Sequence, residues 1–156
     1  MECKICGHTT KQAFTTTILN KYEGSYYSCP NCDFIQTSEP HWLGEAYSSA
    51  ISNMDIGLLS RNMYVQPILM TVINSFFTNT AQFIDYGGGY GVLVRMMRDA
   101  GYDFYRQDIY CENLFAEGFD IGNNVGLSGF ELITAFEVFE HLVNPMDEIE
   151  KMLTYS

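Results

Sequence analysis

The chain has 156 residues, of which 47% are hydrophobic and 15% aromatic, with 8 Lys and Arg against 19 Asp and Glu. This composition supplies a core and excludes an intrinsically disordered chain, in which low hydrophobicity accompanies high charge. The formal net charge of −11 argues against a nucleic-acid partner, because phosphate binding depends on clustered Lys and Arg. No apolar run reaches the roughly 18 residues of a transmembrane helix, and the N-terminus lacks the pattern of a signal peptide. We therefore expect a cytoplasmic protein with neither a nucleic-acid nor a membrane partner.

Four of the five cysteines form two Cys-x-x-Cys pairs, and these pairs predict a metal site. The first pair is Cys3 and Cys6, and the second is Cys29 and Cys32, with β-forming residues between the pairs. Each pair can place two thiolates on a tight turn, and two such turns supply a tetrahedral set for Zn²⁺. Because four thiolates close the coordination sphere, we expect a structural zinc ion that holds a β-hairpin, as a zinc-ribbon module over residues 1–38.

A pair of disulfides or a redox dithiol are the alternatives for these four cysteines. Disulfides are disfavoured without a secretion signal, and a redox site needs one pair rather than two. His8 could replace a cysteine as ligand, but we expect it to be solvated. Cys111 has no partner by spacing, and we expect a small buried or half-buried thiol. A ribbon that binds nucleic acid is disfavoured, because its only lysines are Lys4, Lys11 and Lys21.

The segment Gln82–Gly91 carries the strongest functional signal in the sequence. A short apolar run ends in an acidic residue, a glycine-rich turn follows, and apolar residues then recur at helical spacing. Strand, glycine turn and helix in this order form the first unit of a doubly wound α/β sheet. The candidate ligand-binding residues of this turn are Asp85, Gly87, Gly88, Gly89 and Gly91.

The glycine spacing excludes two common phosphate-binding motifs. Val92 occupies the third glycine position of the dinucleotide fingerprint when that pattern begins at Gly87. No Lys-Ser or Lys-Thr follows the glycines, which excludes the P-loop. The remaining pattern is Asp-x-Gly-x-Gly-x-Gly, and its carboxylate suits a cationic ligand, directly or through water or backbone groups that it orients. An ordinary tight turn without a ligand is the alternative.

This pattern resembles the first motif of the class I S-adenosylmethionine-dependent methyltransferases, and the resemblance covers roughly residues 40–153. The segment Asp103–Gln107 fits the second strand of that fold. Asp108 occupies the place of the acidic residue that accepts hydrogen bonds from the ribose hydroxyls in this family. Phe130–Phe136 fits the fourth strand. The resemblance implies that the acidic residue and glycines of the turn, together with Asp108, bind S-adenosylmethionine.

The same resemblance implies a methyltransferase with a small-molecule acceptor. Methyl transfer depends mainly on proximity and in-line orientation, with a base where the acceptor must lose a proton. His141 is the candidate base and Glu140 the residue that orients it, with a structural histidine as the alternative. Similar chains with a four-Cys N-terminal module include sugar C-methyltransferases and bacterial enzymes found with glycan-biosynthesis genes, which favours a sugar or nucleotide-sugar acceptor. A non-catalytic zinc-ribbon adaptor is the alternative function.

The predicted fold class is α/β, with a zinc ribbon followed by the first half of a doubly wound, Rossmann-like methyltransferase sheet. The predicted parts are the ribbon, a linker and helix over residues 39–80, and a partial S-adenosylmethionine-binding domain over residues 81–156. The helix of the middle part is predicted to have Pro67 near its start and Arg61 just upstream.

The resemblance also implies a missing half of the sheet. The family fold has seven strands, whereas this chain ends after the fourth, and its third strand is weak. The run Leu132–Phe136 would then lie at an open edge, without Lys or Pro to block pairing. We therefore expect self-association, most simply as a two-fold dimer through this edge.

Overall fold

The computed structural model describes residues 1–46, 56–123, 127 and 129–156. The chain divides into two compact units, one of residues 1–49 with 142–150 and one of residues 50–141 with 151–156. The predicted middle part, residues 39–80, lies partly outside the described residues.

The first unit is built on a three-stranded antiparallel sheet. Strands β1 (Lys11–Ile18), β2 (Tyr22–Ser28) and β3 (Ile35–Thr37) pair in the order β1-β2-β3. Residues 19–21 connect the first two strands, and Leu19 and Asn20 have φ values of 53° and 55°. Two consecutive positive φ values are the backbone of a type I′ hairpin turn. The hairpin predicted between the two cysteine pairs is therefore confirmed.

Aromatic packing extends this unit beyond β3. Trp42 is buried, and it precedes the short helix α1 (Leu43–Ala46). Its ring stacks on Tyr22 at 6.4 Å and meets His41 edge-on at 4.9 Å between ring centroids. The Tyr22 hydroxyl also donates a hydrogen bond of 2.7 Å to the carboxylate of Glu45. These contacts fix the segment after β3 on the second strand.

The second unit contains a three-stranded parallel sheet with the order β5-β4-β6. The central strand β4 (Gln82–Tyr86) pairs with β5 (Asp103–Gln107) and β6 (Leu132–Thr134). Helix α2 (Leu58–Phe76) precedes β4, and helix α3 (Val92–Asp99) connects β4 to β5. Parallel neighbours need such a crossover, because a tight turn cannot join them. The molecule is thus a mixed α/β protein with a parallel sheet.

An apolar cluster holds the two helices against the sheet. The largest side chains buried in it come from β4, β5 and α3. Phe83 of β4 packs against Phe104 of β5 with 5.3 Å between ring centroids. The cluster consists of Leu69, Ile73, Ala81, Phe83, Leu93, Val94, Met97, Phe104 and Ala116. Since α3 contributes three of these residues, its position, and with it the turn that precedes it, is determined by the core.

The last strand is shorter than predicted. The strand expected over Phe130–Phe136 pairs only over Leu132–Thr134, and before its start the Phe130 N–H donates to the carbonyl of Tyr155 at 2.9 Å. Helix α4 (Pro145–Leu153) follows, with a proline as its first residue. In the described residues, the region of the weak third strand pairs with β5 only through one parallel bridge, from Arg106 to Asp120.

The prediction for the start of α2 is wrong. The helix begins at Leu58, so Pro67 lies inside it and Arg61 lies in its first turn. The N-cap residue Gly57 makes no side-chain cap hydrogen bond, so the sequence carries no capping signal there. Proline favours the first turn of a helix because in the interior it removes one backbone hydrogen bond, but α2 carries Pro67 in its interior. None of the helices in the described parts of the chain is long and apolar enough to cross a bilayer.

Candidate functional site

The four paired cysteines come together in the first unit. Their Sγ atoms all lie within 4.8 Å of one another, with 3.6 Å between Cys3 and Cys32 and 3.5 Å between Cys6 and Cys29. A disulfide would need about 2.05 Å, so all are free thiols. Zinc–sulfur bonds of about 2.3 Å in a tetrahedron place sulfur atoms about 3.8 Å apart. The cluster therefore has the dimensions of a site for one tetrahedral metal ion.

Two backbone turns of the same design present these thiols. The Gly7 N–H donates to the Cys3 carbonyl at 2.9 Å, and the Asp33 N–H donates to the Cys29 carbonyl at 3.0 Å. The residue that follows each pair has a positive φ, 70° at Gly7 and 59° at Asp33. Glycine marks the first turn in the sequence. Aspartate adopts the left-handed region less readily than glycine, so the sequence gives no comparable signal for the second turn.

Gln36 of β3 joins the first turn to the sheet and was not predicted. Its side-chain oxygen accepts a hydrogen bond from the Lys4 N–H, and its side-chain nitrogen donates to the Glu2 carbonyl, both at 2.8 Å. Gln36 is buried, so these two bonds satisfy backbone groups that water does not reach. A lone glutamine in a short strand gives no sequence signal for such a role.

The four thiols do not ionise equally readily. The backbone N–H of His8 and the side-chain amide of Asn31 lower the pKa of Cys6 to about 6. The pKa of Cys32 is raised: the Phe34 N–H favours its thiolate, but burial and the neighbouring thiols outweigh it. The first thiolate to form makes the others harder to ionise, and a bound cation would remove this penalty.

The glycine loop, residues 87–91, lies at the carboxyl end of β4. The Gly87 and Gly88 N–H groups donate to the Gln107 carbonyl at 2.8 and 3.2 Å. The start of the loop is thus fastened to the end of β5. In open parallel sheets, ligands bind in the crevice at the carboxyl ends of the strands.

The loop glycines have different surroundings. A Cβ added at Gly87 would lie 2.6 Å from Val138 Cγ2, and one at Gly91 would lie 2.9 Å from Ala116 Cβ. Packing within the protein therefore requires glycine at both positions. Gly89 differs, because a Cβ there would meet nothing within 4 Å, and its φ is 54°. Gly89 faces open space, and this is the side from which a ligand can approach the backbone.

Asp85 is buried in the sheet. Its Oδ1 accepts a hydrogen bond of 2.7 Å from the Thr134 hydroxyl, and a Cβ at Gly88 would lie 3.0 Å from its Oδ2. Burial raises the pKa of Asp85 to about 7; the Thr134 hydrogen bond opposes this shift and the negative charge of Asp108 adds to it. The Asp85 side chain therefore links β4 to β6 just before the glycine loop.

Asp108 follows β5 and contacts the glycine loop directly. Its Oδ2 accepts the Gly89 N–H at 2.9 Å, while its Oδ1 accepts the N–H groups of Tyr110 and Cys111, both at 2.8 Å. Each carboxylate oxygen has about two lone-pair sites, so Oδ1 is satisfied and Oδ2 retains one position. Asp108 can therefore accept one further donor, such as a ligand hydroxyl, while it keeps its loop contacts.

Glu140 and His141 lie in a short 3₁₀ turn after β6. The His141 Nε2 is 3.9 Å from the Glu140 Oε1, and both side chains are more than half exposed. This separation between the two atoms is longer than a hydrogen bond. Val138, just before the turn, contacts the glycine loop at Gly87. The catalytic roles of the two residues stay predictions.

Arg106 was not predicted, although it is the buried cation of this region. The residue is only 2% exposed, and its Nε donates to the Gly89 carbonyl at 2.6 Å. A single arginine in the otherwise apolar and aromatic centre of a strand is a visible signal. The backbone carbonyls that Arg106 contacts lie in distant parts of the chain. The sequence pattern therefore does not identify them.

Residues 62–156 match the family described as "Methyltransferase domain". No match was found among curated proteins. The matched range contains the parallel sheet, the glycine loop, Asp108 and the Glu140–His141 turn, and it does not contain the four cysteines of the cluster.

We expect Asp85→Asn to change the pH dependence of stability. The folded protein keeps this carboxyl neutral up to about pH 7, whereas the unfolded chain ionises it near 3.8. The Asp85 contribution to the free energy of unfolding therefore falls as pH rises from about 4 to about 7, by up to about 4 kcal/mol, and levels off above. Because the variant lacks this fall, its stability relative to wild type should increase over that range in urea denaturation.

Glu117→Gln is the control for the Asp85 variant, since it makes the same carboxyl-to-amide change at an exposed acidic residue. A constant stability difference between wild type and Asp85→Asn across this pH range would contradict the burial of an ionisable carboxyl at residue 85.

Proposed function

Since the chain belongs to the methyltransferase domain family, we propose that it transfers a methyl group from S-adenosylmethionine to a small molecule. A sugar or nucleotide-sugar is the acceptor class that we favour. The observation that carries the proposal is the open backbone of Gly89 beside the free lone pair of Asp108. Gly89 leaves space beside its backbone because it has no side chain, and Asp108 offers a hydrogen-bond acceptor next to this space.

The strand order supports this assignment of the sheet. In the class I fold the strands run 3-2-1-4-5-7-6, and β5-β4-β6 corresponds to the adjacent positions 2-1-4. The crossover through α3 matches the first βαβ unit of a doubly wound, Rossmann-like sheet. The glycine loop then lies where strand one ends, and Asp108 lies where strand two ends.

The residues present fit S-adenosylmethionine, which when bound supplies a methyl group activated by a sulfonium. The chain itself would hold this ligand with the glycine-loop backbone and would accept one ribose hydroxyl at the Asp108 Oδ2. Where the methyl acceptor must lose a proton, we assign the base to the imidazole of His141, which is exposed to solvent. Binding and orientation account for most of the catalysis in such a reaction.

We propose that the cysteine cluster holds one structural Zn²⁺ ion. Seven of the eight residues of β1 are exposed, so the first sheet buries little apolar surface of its own. Small units of this kind usually need a metal or disulfides to fold. The four thiols supply the tetrahedral donor set that zinc prefers, and they leave no open position for chemistry.

We expect Gly89→Ala to lower the affinity for S-adenosylhomocysteine at least tenfold in isothermal titration calorimetry. The added methyl would occupy the open side of the loop, where the ligand approaches the backbone. The left-handed φ also strains alanine by about 1–2 kcal/mol, which must be separated from the steric effect on binding.

Gly101→Ala is a matched control for that strain. Gly101 has a φ of 92°, and a Cβ there also meets nothing within 4 Å, but the residue follows the opposite end of α3. This variant should keep the wild-type affinity. Equal affinities for wild type and Gly89→Ala would remove the loop from the site, and a wild type that binds no ligand would favour the non-catalytic adaptor.

Asp108→Ala extends the same experiment to the ribose. It should weaken binding by about 1–3 kcal/mol, the cost of an unsatisfied buried polar group. Analogues that lack one ribose hydroxyl should bind wild type more weakly than S-adenosylhomocysteine, whereas the variant should not distinguish them. If the variant still distinguishes the analogues, the hydroxyl has another partner.

We expect one zinc ion per chain by mass spectrometry of the metal content in protein purified without chelator. Cys29→Ser should lose the ion and the protected amides of the first sheet, because metal binding and folding are coupled in such sites. Cys111→Ser makes the same substitution outside the cluster and should retain one ion. A metal-free wild type that keeps a folded first sheet would contradict the proposal.

We also propose that the chain forms a two-fold dimer through the edge of β6. Within the described residues, β6 pairs only with β4, and this leaves its other edge without a strand neighbour. Light scattering after size exclusion should give the dimer mass. Ile133→Lys, a charge at an edge strand, should give a folded monomer. A wild-type monomer at high concentration would contradict pairing through this edge.

A further inference from the structure

We propose that Arg106 is a positioning residue that couples the two loops of the candidate cofactor site, an inference that rests on the function proposed above. Arg106 lies in β5, two residues before Asp108, and is almost completely buried. A residue so inaccessible cannot contact a ligand. Its action must pass through the groups that it holds.

The guanidinium contacts three separate segments. Its Nε donates to the Gly89 carbonyl at 2.6 Å, one terminal nitrogen donates to Asp120 Oδ1 at 2.6 Å, and the other donates to the Cys111 carbonyl. Asp120 supplies the compensating negative charge that a buried guanidinium needs. The other two contacts go to backbone carbonyls, one in the glycine loop and one in the loop that follows Asp108.

Asp108 contacts the same two residues from the other side. It accepts the N–H of Gly89 at Oδ2 and the N–H of Cys111 at Oδ1. Gly89 and Cys111 are therefore each held twice, by Arg106 at the carbonyl and by Asp108 at the N–H. The four residues form a closed ring of charge-assisted hydrogen bonds, and such bonds are the stronger kind.

This ring has a direct consequence for the free position on Asp108. Holding both peptide groups of Gly89 fixes the open side of the glycine loop, and holding Cys111 fixes the carboxylate that accepts its N–H. The ring therefore sets the Gly89 backbone and the remaining lone pair of Oδ2 in one arrangement before a ligand arrives. Preorganisation of this kind increases affinity because ordering is not paid at binding.

Lysine at position 106 would test the geometry while it keeps the charge. An ammonium group places its donors around one atom, whereas the guanidinium directs them along a planar fork. Arg106→Lys can therefore remain near Asp120 but cannot reach both carbonyls. We expect the two loops to become independent of each other.

Arg98→Lys is the matched control. Arg98 also bonds one carboxylate and one backbone carbonyl, Asp103 at 2.9 Å and Phe104 at 2.7 Å, but at the amino end of β5. Both substitutions should lower the temperature of unfolding. A loss of cofactor affinity is expected only for Arg106→Lys.

The experiment measures hydrogen exchange of the ligand-free protein and titration with S-adenosylhomocysteine. In Arg106→Lys, exchange should accelerate at least tenfold in both residues 87–91 and residues 109–116, and affinity should fall at least tenfold. Arg98→Lys should change neither. Faster exchange in one loop alone, or wild-type affinity in a destabilised Arg106→Lys, would overturn the proposal.

Two further arms keep the outcomes separate. If wild-type protein does not bind S-adenosylhomocysteine, the proposed function fails, while the exchange data still decide whether Arg106 couples the loops. If Arg106→Lys does not fold, Asp120→Asn weakens the anchor of the same guanidinium. That variant should accelerate exchange in both loops together, by a smaller factor, and unchanged exchange would overturn the coupling.

Discussion

The candidate cofactor site depends on the parallel pairing of β4 with both of its neighbours. In this register Tyr86 lies opposite Gln107, and Asp85 lies opposite Thr134. Parallel strands end at the same edge of a sheet, so the glycine loop, Asp108 and the turn after β6 all emerge on one side. Segments distant in sequence are brought together by the direction of three short strands, and the core behind them holds that direction.

The parts of the fold that were predictable are those with short-range signals. The hairpin follows from β-forming residues between two cysteine turns, and β4, α3 and β5 follow from one apolar run, one glycine turn and one helical pattern. The approach of Asp108 to the glycine loop was also predictable, because a strand end is a position that sequence spacing reports. The cysteine cluster was predictable from the spacing of its cysteines in two Cys-x-x-Cys pairs.

The parts that were missed depend on contacts without a local pattern. The start of α2 has no capping side chain, so only the packing of the helix shows that it begins before Pro67. Just before the start of β6, the Phe130 N–H is taken by the carbonyl of the distant Tyr155. The partners of Arg106 are carbonyl groups, which every residue has, so no residue type identifies them in advance.

The cysteine cluster is unequally buried, and this asymmetry bears on how a bound metal ion would exchange. Cys3 and Cys29 are buried, whereas Cys6 and Cys32 are exposed. An ion held by the four would be shielded by protein on one side and would meet solvent on the other. A competing thiol or chelator could then attack at the exposed pair and displace one sulfur at a time, so the ion would leave through mixed complexes. The rate of metal loss would then rise with the concentration of the competitor.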